Sequence, residues 1–135
     1  MPRMASELDL LVRTFYSAFD NREGRIATIE GITSLFVPQA VIAKRTAAGF
    51  EVTTPEQFAQ PRVELLRGPA LVGFHEWETS FDSRVDGDLA LRTSRYEKSG
   101  TMDGAPYAGK GTKFFQFVRQ QGRWRILSLA WADDA

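Results

Sequence analysis

The sequence predicts an α+β fold, with helices supplied by the first half of the chain and a long, bent antiparallel sheet completed by the second. Three observations carry that expectation. Apolar residues near the N-terminus recur at three- and four-residue spacing. Thr54-Pro55-Glu56-Gln57 is a full helix-start signal, and Asp86-Gly87 separates two alternating runs as a tight hairpin turn does. With 135 residues the chain reads as one domain over 1–135, long enough to bury about two-thirds of its unfolded surface.

In the first helix, Leu8, Leu11, Val12, Phe15 and Phe19 form the apolar stripe, and Ser6 as N-cap with Asp9 supplies a weak form of the capping box. Ile26, Ile29, Ile32, Leu35 and Phe36 predict a second helix ended by Pro38. A hairpin follows between Gln39 and Thr53, bending near Gly49. The third helix should start at Pro55 behind a Thr54 cap and run to Arg67, kinked at Pro61 and stopped by Gly68-Pro69. Strands are expected over 71–85 and 88–98, then a Gly-rich loop over 99–109, the one candidate lid. Two final strands, about 110–120 and 123–132, meet across Gln121-Gly122.

If Val85 pairs with Asp88, then Trp77 faces Tyr96 and His75 faces Lys98. One face of that hairpin carries His75, Trp77, Thr79, Phe81, Ser94 and Tyr96, and is expected to point inward. Glu76, Glu78, Asp82, Arg95 and Glu97 occupy the other, with Glu78 opposite Arg95 as a solvated pair. A bulge in either strand would reverse the faces beyond it.

Composition narrows the chemistry. Seventeen basic residues balance seventeen acidic ones, which argues against a nucleic-acid partner. Lys110, Lys113, Arg119, Arg123 and Arg125 form a basic C-terminal stretch, read as a solvated rim. With no Cys and one His, neither a thiolate site nor a zinc centre is expected, and no metal or other cofactor is called for. No apolar run of membrane-spanning or signal-peptide length occurs, so a cytoplasmic protein without a membrane partner is expected. Phe114–Val118 and Ile126–Trp131 are apolar on both strand faces, which predicts a homodimer through the outer sheet face.

The element order, Leu35-Phe36-Val37-Pro38-Gln39-Ala40-Val41 and Gly122-Arg123-Trp124-Arg125-Ile126 together resemble the nuclear-transport-factor-2-like superfamily over about residues 5–133. Ser94-Arg95-Tyr96-Glu97 and Ser128-Leu129-Ala130-Trp131 are similar to its polyketide-cyclase-like branch. The resemblance implies a cone of three helices against a curved sheet, and activities ranging from ketosteroid isomerisation to none. At the position of the isomerases' carboxylate base stands Lys44, while Tyr16 lies near the place of their helix-one tyrosine. The two-histidine set of the dehydratases is absent, and the Asp-Arg-Asp set of the epoxide hydrolases has no facing positions.

The expected function is therefore binding of a small apolar, oxygen-bearing molecule in the cone. It comes with or without proton-transfer chemistry; the alternative is a dimerisation or protein-interaction module. The candidate proton carrier is His75, with Tyr16 or Tyr96 as hydrogen-bond donor to a developing oxyanion. The candidate pocket adds Phe15, Phe19, Lys44, Trp77, Ser94, Gln116 and Ser128. Each has a plainer reading: a structural histidine near a strand end, or tyrosines filling the core with hydroxyls at the rim. Lys44 reads equally as a cation at the mouth selecting anionic ligands or as a guard on an edge strand.

Overall fold

Local signals and long-range pairing together set the architecture. The computed structural model describes residues 6–135. Its elements are α1 (Glu7–Ser17), α2 (Ile29–Thr33), β1 (Phe36–Thr46), β2 (Gly49–Thr53), α3 (Pro55–Arg67), β3 (Leu71–Asp86), β4 (Leu89–Met102), β5 (Ala105–Gln120) and β6 (Arg123–Asp133). The strands form one curved, unclosed sheet in the order β2-β1-β6-β5-β4-β3. The helices pack on its concave side, giving the expected α+β cone. One pairing departs from antiparallel: β1 runs parallel to β6, with Ile42 beside Leu129.

Both capping boxes form as read. Ser6 Oγ accepts from the Asp9 N–H at 3.1 Å and Asp9 returns a bond from the Ser6 N–H; Thr54 and Gln57 do the same for α3. The α3 helix continues through Pro61 to the cap at Gly68. Between the layers, Phe15 of α1 meets Phe115 of β5 edge-on at 5.3 Å, and Phe58 of α3 meets Trp131 of β6 at 5.6 Å.

Three expectations are corrected. The second helix is only Ile29–Thr33, because Leu35 and Phe36 are drawn into the sheet, where the Ile126 N–H bonds the Leu35 carbonyl at 2.9 Å. The 99–109 lid does not exist: Asp103-Gly104, at φ 50° and 80°, makes a tight turn of the I′ kind, and β4 pairs with β5 right up to it. The β3–β4 turn lies one residue later than expected, so Asp86 pairs with Leu89.

A register shift between Glu78 and Ser80 then leaves Thr79 bulged, and this has the larger consequence. On the turn side Phe81 pairs with Ser94, in place of the expected Thr79, and the two share a face as the alternation implies; beyond the bulge Glu78 pairs with Tyr96 and Glu76 with Lys98. The faces are reversed from Glu78 back towards Glu76. Glu76 and Glu78 therefore point into the cone, while His75 and Trp77 lie on the opposite face from Ser94 and Tyr96.

Candidate functional site

The cone is hollow. A cavity of about 250 Å³ lies between α1, α3 and the concave face of the sheet. Its apolar wall comes from Phe15 on α1, Phe19 in the turn that follows it, Phe58 and Leu66 on α3, Phe74 on β3 and Trp131 on β6. Phe15 and Phe58 are 1% and 2% exposed and make the floor. The turn after α1, in which the Phe19 N–H bonds the Tyr16 carbonyl, brings Phe19 beside Phe15, and their rings meet at 5.2 Å. An engineered apolar cavity of roughly 150 Å³ holds benzene, so this one has room for a ring bearing a short substituent.

The polar part of the wall is cationic. Of the chain's four lysines, Lys44, Lys98 and Lys113 line the cavity, joined by Arg62 of α3; Glu76 is the carboxylate among them. Lys113 is buried, bonded to Glu76, with its ammonium 3.4 Å from the Tyr96 ring centroid. Burial pushes the Lys113 ammonium below the usual lysine range, against the pull of Glu76. Lys98 bonds Asp133 at 2.8 Å, and although burial works against its charge, that carboxylate holds its pKa above the ordinary value. Asp133 also accepts from the Tyr96 hydroxyl. Burial and that bond push the phenol well above the usual tyrosine range, so Tyr96 is a fixed donor rather than an acid.

Lys44 and Arg62 are different. Neither makes an ion pair among the described residues; Arg62 bonds only the Phe58 carbonyl at 3.0 Å and stacks 4.2 Å from the Phe58 ring. Burial lowers the pKa of both, and for Lys44 the neighbouring Arg62 and Lys98 charges lower it further.

Behind the cavity wall a second network fastens α1 to β3 and β4. Arg92, 2% exposed, bonds Glu78 through Nε at 3.1 Å and Nη2 at 2.5 Å, and Asp9 through Nη1 at 2.7 Å. Its guanidinium also covers the Phe81 ring at 3.6 Å. Ser94 donates to Glu78 and shares a 2.7 Å hydrogen bond with Tyr16. Burial raises the Tyr16 pKa well out of the ordinary range. No buried side-chain N or O among the described residues lacks a partner, which suits a network that holds position rather than one awaiting a ligand.

No protein-family profile and no curated protein sequence matches the chain. Solved structures do. A nuclear-transport-factor-2-like superfamily protein from Salmonella enterica serovar Typhimurium superposes with a TM-score of 0.75 at 14% identity, over 96% of this chain and 89% of that one. For a nuclear-transport-factor-2-like protein of unknown function from Pseudomonas putida the TM-score is 0.72 at 18% identity, over 95% and 84%. A cystatin-like-fold protein of unknown function from Nostoc punctiforme gives 0.69 at 14%, over 95% and 89%. This chain has the nuclear-transport-factor-2-like fold. At such identities the likeness is one of fold, and the site must be argued from its own residues.

Within this nuclear-transport-factor-2-like cone, Phe15, Phe19 and Lys44 line the cavity, while the other expected residues fall elsewhere. His75 stacks on Trp77 at 4.5 Å in a separate groove beside α1, turned away by the Thr79 bulge. Tyr16 and Ser94 sit in the Arg92 network, and Tyr96 lies beneath Lys113. Ser128 and Gln116 bond each other at 2.9 Å on the outer sheet face, because residues of β5 and β6 alternate and their neighbours Phe115 and Leu129 are the buried ones. Lys113 is 4% exposed and is no part of a solvated rim. Glu78 partners buried Arg92 instead of Arg95.

Sequence reading missed Phe58, Arg62, Glu76, Lys98, Lys113 and Trp131. Phe58 and Arg62 are one helical turn apart on α3, a spacing visible in advance. The inward turn of Glu76 depends on a bulge that no Gly or Pro announces.

Proposed function

We propose that this protein binds a small, largely apolar molecule inside the cone. The observation that supports the reading is the cavity itself: about 250 Å³ left open between aromatic rings where a purely structural module would pack side chains. An unfilled space of that size costs stability, because the lining atoms lose contacts on one side. A ligand that fills it restores those contacts.

The test is direct binding of single-ring and two-ring aromatic probes, followed by calorimetry and thermal shift. Leu65 is 38% exposed at the cavity rim, so Leu65→Trp narrows the entrance without disturbing the core. Probe binding to the wild-type chain and its loss in Leu65→Trp, with an unchanged circular-dichroism spectrum, is the expected result. Absence of binding by every probe would retire the reading.

One observation favours a catalytic use of the same space. Glu76 and Lys113 share a hydrogen bond at the cavity wall, so a carboxylate is placed to accept a proton from a bound carbonyl compound while an ammonium faces the resulting oxyanion. This pair takes the part that the sequence assigns to His75. Solvent-deuterium exchange into a panel of ketones, abolished by Glu76→Gln, is the signature; no exchange with any ketone leaves binding alone.

A further inference from the structure

Lys44 and Arg62 are the cavity's uncommitted charges. Lys98 is answered by Asp133 and Lys113 by Glu76, but the two cations on β1 and α3 have no carboxylate within ion-pair distance among the described residues. Glu51 stands opposite Lys44 across the β1–β2 ladder and still makes an ion pair with neither. Both are partly buried, less so than the Phe15 and Phe58 floor, which sets them toward the opening. Chain folding has thus brought like charges together in a partly desolvated space, an arrangement that costs free energy until an anion enters.

We propose that the cavity selects a small aromatic or bulky aliphatic monocarboxylate, with its apolar body against the phenylalanine floor and its carboxylate on Lys44 and Arg62. This rests on the ligand-binding reading above and specifies the ligand's chemistry. A guanidinium is matched to a carboxylate by its planar fork, and Lys44 adds a second charge from the facing wall. Phosphate sites usually draw on backbone N–H groups at a helix N-terminus. At this cavity α3 offers side chains between Phe58 and Leu66, while its N-terminal N–H groups, capped by Thr54, do not line it, which favours the smaller anion.

The experiment is a head-group series on one ring system: 2-naphthoate, 2-naphthylmethanol, 2-naphthylmethylamine and 2-naphthyl phosphate, titrated by calorimetry at low and high salt. The acid is expected to bind at least about tenfold more tightly than the alcohol, as charge-assisted hydrogen bonds do, with the preference shrinking as salt rises. Lys44→Met and Arg62→Gln should each narrow the acid-to-alcohol ratio several-fold, whereas Lys110→Met, exposed on the same sheet, should not; thermal melts establish that each variant is folded. Equal affinity for acid and alcohol, or a preference for the amine or the phosphate, would overturn the carboxylate assignment while leaving the cavity a binding site. Binding by none of the four would remove the ligand-binding reading and this inference with it.

Discussion

Arg92 shows how one buried charge can organise a fold. It is 2% exposed, yet Asp9 and Glu78 satisfy it from two different elements, so helix α1 is tied to the sheet by a charge-assisted bridge. Removing the cation takes away the charge that Asp9 and Glu78 share and leaves the two carboxylates to repel each other. Arg92→Met is expected to cost about 3–5 kcal/mol, read as a fall in Tm of about 10 °C or more; a loss within experimental error would show the bridge to be ornamental. The carboxylates also set a pH dependence. Burial opposes ionisation of Asp9 and Asp133, but Arg92 and Ser6 around the first, and Lys98 and Tyr96 around the second, hold both below the usual carboxylate range. A depressed folded-state pKa gives stability that is complete above the unfolded value, about 3.9, and lost as pH falls through the folded one. Tm should therefore stay level down to about pH 5 and drop below about pH 4, less steeply in Asp133→Asn. A wild-type Tm that rises on acidification would reverse the sign.

At the scale of elements, the Tyr96 hydroxyl reaches Asp133 because Gly111 opposite it has no side chain. A Cβ there would lie 2.6 Å from the Ala132 carbonyl oxygen and closer still to the Tyr96 hydroxyl. Gly111→Ala should cost about 1–3 kcal/mol by overpacking, seen as a Tm lowered by roughly 3–10 °C. An unchanged melting curve would mean that the ring moves freely. Legibility in the sequence divides along the same line between local and long-range causes. The capping boxes at Ser6 and Thr54 and the Gln121-Gly122 turn act within a few residues and could be read directly. Asp103-Gly104 carried the same kind of signal but was hidden in a Gly-rich stretch. The Thr79 bulge had no local marker, and it decided whether His75 or Glu76 entered the cone. The parallel pairing of β1 with β6, which pulls Phe36 out of helix, joins residues some ninety positions apart. The floor of the cavity is equally non-local, since Phe15, Phe58 and Trp131 meet only after the sheet has formed.

On the scale of the whole molecule, the inner face of the sheet is covered by helices and the outer one is not. Phe50 and Val52 of β2, Val41 of β1, Phe114 of β5 and Leu91 of β4 are all exposed, at 64%, 63%, 52%, 58% and 48%. We propose that a second copy of the chain covers this face, since an apolar surface of this extent is rare on a lone monomer. Sedimentation at micromolar concentration should give a dimer that Phe114→Glu converts to folded monomer; a wild-type monomer at that concentration would contradict it. The concave face holds the cavity. The most direct measurement is an amide NMR titration of the labelled chain with 2-naphthoate. Saturable shifts gathered on Phe15, Lys44, Phe58, Arg62 and Trp131 are the expected outcome. Absence of saturable shifts, or shifts confined to the outer face around Phe114 and Gln116, would contradict the assignment of the cone as a binding site.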